Sequence, residues 1–273
     1  MKKLFKMGMI LFVSLAMILT SCKKEEVNSN GNNNGNTENP GGGNQEYPSS
    51  ADVLYDVVTD TDGNSYDAVR IGDQIWMAEN LCTTRYANGT SIPLGTSTST
   101  ITSYRYNPND NANNVPTYGY LYNWPAVMHG ASSSEANPSG VQGICPDGWH
   151  VPSDAEWTQL TNYVGSQTQY QFDNSSDNIA KALASTTGWN SSTETCAVGN
   201  NPSTNNATGF SALPAGRYYY GSYNNFGYNA NFWSATEDND NLAYYRGLYY
   251  IDASVFRLGS NPYCGFSVRC VKD

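Results

Sequence analysis

The side chains able to do chemistry are few. Among 273 residues there are two histidines and six cysteines. His129 lies in a Gly/Ser-rich stretch with no partner nearby in sequence. His150 stands in Trp149-His150-Val151-Pro152, beside a helix start, where an imidazole reads as a hydrogen-bonded frame residue rather than a base. There is no phosphate-cradling glycine loop, no paired-histidine zinc motif and no nucleophile elbow. Asp60, Asp62 and Asn64 have calcium-loop spacing, but the distal Glu is missing, so Thr61-Asp62-Gly63-Asn64 reads as a hairpin turn. Glu237-Asp238-Asn239-Asp240 offers oxygen ligands that a solvated loop explains equally well. No cofactor or metal is expected. What the chain has instead is tyrosine. Between Tyr218 and Tyr263 lie 10 of its 21 tyrosines, interleaved with Asn, Asp, Ser and Gly. Tyr gives amphipathic contact area at low rotamer cost, and Ser, Gly and Asn adapt their hydrogen bonds, which is the composition of a binding surface.

Such a surface needs a frame. Val57-Val58, Tyr66 to Ile71 and Gln74 to Met77 read as strands separated by the turns at Asp62-Gly63 and Gly72-Asp73. Residues 82–118 are polar and loop-like, and Tyr118 to Val127 reads as an aromatic strand or strand pair. The clearest helix starts at Ser153, an N-cap with Glu156 three residues on, and puts Trp157, Leu160 and Val164 on one face. A second short helix is expected over Asp177 to Ser185, with Ile179, Ala182 and Leu183 inward. Beyond Trp189 the chain reads as loops and short strands, with core islands at Asn231 to Thr236 and Gly265 to Val271.

Residues 1–21 read as a targeting segment. Lys2, Lys3 and Lys6 precede an apolar run, Met7 to Ile18, too short to span a membrane. Leu19-Thr20-Ser21-Cys22 resembles a bacterial lipobox, which implies a lipid on Cys22, and Glu25-Glu26 resembles a surface-export signal. Residues 22–50, rich in Asn and Gly, cannot offset their ordering entropy and read as a flexible tether of roughly 25–30 Å reach. The remaining 51–273 read as one domain. Residues 1–21 hold three lysines and no acid, so their removal takes the formal charge from −10 to −13. That disfavours nucleic acid and anionic lipid surfaces, leaving the membrane touched only through the anchor.

Five ordered motifs resemble one family: Trp76 to Leu81, Gly119 to Trp124, Cys145 to Ser153, Phe232-Trp233-Ser234 and Gly265 to Val271. Together, over roughly 55–273, they look like the Fibrobacter succinogenes major paralogous domain of Bacteroidetes lipoproteins. That resemblance implies an outer-membrane, cell-surface lipoprotein. It also implies an α+β, C-type lectin-like fold: two helices, small antiparallel sheets, long irregular loops and paired terminal strands. The Glu-Pro-Asn and Trp-Asn-Asp motifs of calcium-dependent lectins are absent. Narrower still, the last segment resembles the variable proteins of diversity-generating retroelements, in which adenine-directed mutagenesis rewrites Asn-type codons. Carried over, Tyr245, Gly247, Tyr249, Ile251, Asp252, Ser254, Phe256, Leu258, Asn261, Tyr263 and Cys264 would vary. Ala243, Arg246, Leu248, Val255 and Arg257 would be frame.

The expected ligand face is therefore Tyr219, Tyr220, Tyr223, Tyr228, Asp238, Asp240, Tyr245, Tyr249, Ile251, Asp252, Phe256, Leu258, Asn261 and Tyr263, holding a protein or glycan. The fold also implies a Cys145–Cys270 disulfide; Cys264 is left over and Cys82 falls to Cys196. The alternatives are a structural or adhesin envelope subunit without a diversified site, and an oxidase of the formylglycine-generating type using Cys264 and Cys270.

Overall fold

The computed structural model describes residues 52–273; the targeting segment, Cys22 and the tether lie outside the described residues. The chain opens with β1 (Asp52–Thr59), β2 (Ser65–Ile71) and β3 (Gln74–Met77), joined by the two expected turns. The first turn is built on Asp60, whose carboxylate accepts the amides of Asp62 and Asn64 and the Tyr66 hydroxyl, which closes the hairpin. Next come β4 (Arg105–Tyr106), α1 (Val115–Tyr118), β5 (Leu121–Tyr122) and α2 (Trp124–Met128). The expected aromatic strand over 118–127 is thus two residues long. Asn123 ends it by accepting the Ala126 amide as an N-cap, with Pro125 inside the first turn of α2.

The third stretch holds β6 (Trp149–His150), α3 (Asp154–Ser166) and α4 (Ala180–Leu183). Helix α3 has the full capping box between Ser153 and Glu156 and buries Trp157, Leu160 and Val164. Four α-helices occur among the described residues rather than the expected two, and three of them are single turns. The chain finishes with β7 (Arg217–Tyr219), β8 (Ser222–Asn224), β9 (Asn229–Asn239), β10 (Leu242–Tyr249), β11 (Val255–Ser260) and β12 (Val271–Lys272).

The architecture is α+β, with a five-stranded sheet ordered β1-β2-β3-β12-β6 and a three-stranded sheet ordered β11-β10-β9. The terminal strands share a sheet but do not pair, since β12 lies between β3 and β6. Strand alternation sends side chains to both faces of each sheet, so each separates two cores. Tyr66, Ala68, Met77, Trp233 and Tyr245 enter one core, while Val69, Ile71, Trp76, Phe232 and Leu248 enter the other with α3.

The closing segment before β12 knits these parts together. Tyr122 and Phe266 exchange both backbone hydrogen bonds, as do Tyr218 and Gly265; Ser267 N–H reaches Asn231 and Leu81 N–H reaches Val268. Arg269 is wholly buried in the same segment. Its guanidinium donates to Asn80 Oδ1 at 2.8 Å and to the carbonyls of Met77, Phe210 and Ser211 at 2.9, 2.5 and 2.8 Å, and it lies over the Phe210 ring. Burial lowers its pKa to about 9, opposed by the charge of Glu79. Cys145 and Cys270 are disulfide-bonded. Cys196 and Cys264 are free thiols, so the expected Cys82–Cys196 bond is not formed and Cys270 is not available to Cys264.

His150 is a buried frame residue. Its Nε2 lies 2.7 Å from Glu156 Oε1 and its Nδ1 2.7 Å from Asp273 Oδ1, and facing a carboxylate on each side favours the doubly protonated ring. Burial pulls its pKa down, but the hydrogen bonds and charges of Glu156 and Asp273 outweigh this and raise it overall. A raised folded-state value stabilises the fold fully below the unfolded pKa of about 6.5, and the contribution fades as pH rises through the folded value. The melting-temperature gap between wild type and His150→Gln should therefore be widest near or below about pH 6.5 and narrow at alkaline pH. A gap constant over that range would show that folding leaves the His150 pKa unshifted.

Candidate functional site

Strand β10 carries two different surfaces. Tyr244, Arg246 and Leu248 point toward α3, while Tyr245, Gly247 and Tyr249 point to the other face, the first two with their β11 partners Leu258 and Phe256. On the helix side, Arg246 Nη1 donates to Asp154 Oδ1 at 2.6 Å. Arg257 grips the same carboxylate with its guanidinium 3.8 Å from the Tyr244 ring, so both arginines are frame.

The tyrosine side is graded from core to surface. Tyr245 is only 6% exposed, its ring packed on Phe266 at 4.7 Å and edge-on to Trp233, so it does not belong to an exposed face. A tyrosine at a central-strand position is drawn in by its apolar ring. Its hydroxyl meets that of Tyr249 at 3.3 Å. Tyr249 folds back over Gly247, where an added Cβ would come within 3.1 Å of its ring, and stacks on Phe256 at 4.8 Å. Beyond that stack Ile251 is 52% exposed, and Leu258 is exposed beside Tyr245. Cys264, an expected variable position, is buried; burial raises its pKa to about 11, partly offset by Ser260, Arg217 and the Asn261 backbone.

The β7–β8 hairpin adds a second aromatic group. Its two-residue turn is Tyr220-Gly221, with φ of +49° and +77°, the paired left-handed conformation that fits hairpin twist. Such turns favour Asn or Gly at the first position, so a tyrosine there costs on the order of 1 kcal/mol. That tyrosine is 72% exposed. Tyr219 meets it edge-on at 4.5 Å, and Tyr263 lies 5.3 Å from Tyr220 and 6.2 Å from Tyr219. The Arg217 guanidinium is 4.8 Å from the Tyr219 ring.

The structure does not gather the remaining expected residues here. Tyr223 sits opposite Tyr218 and packs against it at 5.0 Å; its pKa is raised to about 12 by burial and by Asp110. Tyr228 is exposed in the turn just before β9, edge-on to Tyr250 at 4.9 Å. Asp238 crowds Gly259 and acts on the Tyr244 hydroxyl, on the helix side of the sheet, and Asp240 lies at the far hairpin end. Asp252 and Asn261 are turn formers, their Oδ1 atoms accepting the amides of Ser254 and Tyr263. A cavity of about 560 Å³ opens between α3 and residues 176–179; among expected variable positions only Ser254 lines it. No cluster of three metal-ligating side chains occurs among the described residues, and none of their helices is long and apolar enough to cross a membrane.

A model of the Fibrobacter succinogenes major domain matches residues 69–272. The chain belongs to that family. The Fibrobacter succinogenes major domain here runs from within β2 to β12, so the whole tyrosine face lies inside the match and β1 precedes it. Neither the curated proteins nor the solved structures gave a match. Arg217 was not legible as part of this site, because its place depends on hairpin register rather than on any local motif.

Proposed function

We propose that the chain is a lipid-anchored binding protein of the outer-membrane surface, tethered through Cys22, that holds a protein or glycan on its tyrosine face. The observation that carries this reading is the hairpin turn: an exposed tyrosine kept at a disfavoured backbone position beside Tyr219 and Tyr263. Backbone strain of this kind collects at binding sites. We read the finer architecture as C-type lectin-like, which the small sheets, the capped helix and the long irregular connections support. Exposed or half-buried Tyr249, Ile251, Phe256 and Leu258, set over buried Ala243, Arg246 and Leu248, support retroelement diversification of that subset. A reverse-transcriptase gene beside a near-copy of this segment is the genomic check.

The functional test compares two variants by ligand binding on intact cells, using glycan and protein panels, and by melting of the purified chain. Tyr220→Ala, Tyr249→Ala and Phe256→Ala together should weaken binding about 30-fold or more, as hot-spot aromatics do, and shift melting little. Tyr245→Ala should instead cost roughly 2–4 kcal/mol of stability, because its ring is core. Unchanged binding by the triple variant would remove the tyrosine face from function. Binding seen only after lysis would overturn surface display.

A further inference from the structure

The tyrosine face contains an unmatched cation. Arg217 is half-buried on β7, on the same side as Tyr219 and opposite to Tyr218, which turns inward to stack on Tyr106 at 4.0 Å. Its Nε is enclosed and meets no hydrogen-bond acceptor. Among the described residues no carboxylate pairs with it, whereas Arg246 and Arg257 share Asp154 and Arg85 pairs with Asp62. Its charge also acts on Tyr245 and Cys264, so it lies near both on the tyrosine side. The Tyr219 ring covers the guanidinium, leaving hydrogen bonding to its in-plane edge, the geometry that matches a carboxylate. Partial burial weakens solvent screening, so an unmatched charge here favours an anionic partner more than a surface lysine would.

We propose that Arg217 is the anion-recognising residue of this face and that its ligand is a glycan carrying isolated carboxylates, of uronic-acid type. This rests on the tyrosine face being the binding site. One cation under the Tyr219 ring, with Tyr220 and Tyr263 packed on that ring, matches one acidic sugar with neutral neighbours: the carboxylate meets the guanidinium, the C–H faces of the sugars lie on the rings, and the ring hydroxyls bond the sugar hydroxyls. The chain itself carries a formal charge of −10, which opposes a densely acidic protein partner far more than a carboxylate spaced along a sugar chain.

The test measures binding of the full chain to oligosaccharides containing glucuronate or galacturonate among neutral sugars, each also as its methyl ester. Wild type should prefer at least one acidic form over its ester by about tenfold or more, and added salt should reduce the preference. Arg217→Gln should erase the preference, and Arg217→Lys, which keeps the charge but loses the planar fork, should restore part of it. Equal binding of acid and ester by wild type overturns the proposal even if Arg217→Gln fails to fold. An Arg217→Gln variant that folds and still prefers the acid overturns it too, as does a face that binds only proteins. In each of these cases loss of binding in the tyrosine triple variant would leave the wider reading standing.

Discussion

Cys145→Ser is expected to lower the unfolding free energy by roughly 4–5 kcal/mol, the loop-entropy value for a long closed loop. The bond joins residues 125 apart, and both cysteines are fully buried. It fixes the approach to β6 against the residue just before β12, two strands that lie side by side in the five-stranded sheet. Without it the unfolded chain regains a large ensemble while the folded chain gains nothing. For a domain of this size the melting temperature should fall by roughly 10–15 °C. Thiol labelling of the unfolded variant should find Cys270 reactive. A variant that melts with wild type would mean that the denatured chain already holds these segments together.

Arg269→Ala should cost about 4 kcal/mol or more, from two sources that add. Removing the guanidinium leaves Asn80 Oδ1 and the carbonyls of Met77, Phe210 and Ser211 without that donor, and each buried acceptor left unmet costs about 1–3 kcal/mol. The lost side chain also opens a cavity against Phe210 and Phe232. Arg269→Met should recover the packing share and not the hydrogen-bond share. Denaturant titration separates the three proteins. If the Ala variant lies within about 1 kcal/mol of wild type, water must replace the guanidinium without loss, and Arg269 is not a structural tie.

The sequence was most legible where local chemistry decides structure. Ser153 with Glu156 gave α3 and its inward face, and Asp62-Gly63 and Gly72-Asp73 gave the first two hairpins. The Cys145–Cys270 bond followed from family resemblance, not from spacing. Legibility failed where one residue type serves two roles. Asn123 reads as one polar residue in an aromatic strand, yet its side chain caps α2 and ends that strand. Tyrosine reads as surface throughout the last segment, yet Tyr245 and Tyr218 are core because their strands are covered on that side. Asp238 and Tyr249 look equivalent in sequence, and only the register of β9 with β10 sends them to opposite faces.

The closing segment has a kinetic meaning. Its bonds reach back across most of the domain: 187 residues from Asn80 to Ser267 and 192 from Met77 to Arg269. Contacts this distant must overcome loop closure before they contribute, so the domain should be a slow folder. During synthesis the second edge of β3 and the Asn80 side-chain oxygen have no partner until residues 269–271 leave the ribosome. The growing chain therefore stays open, and folding waits on its last tenth.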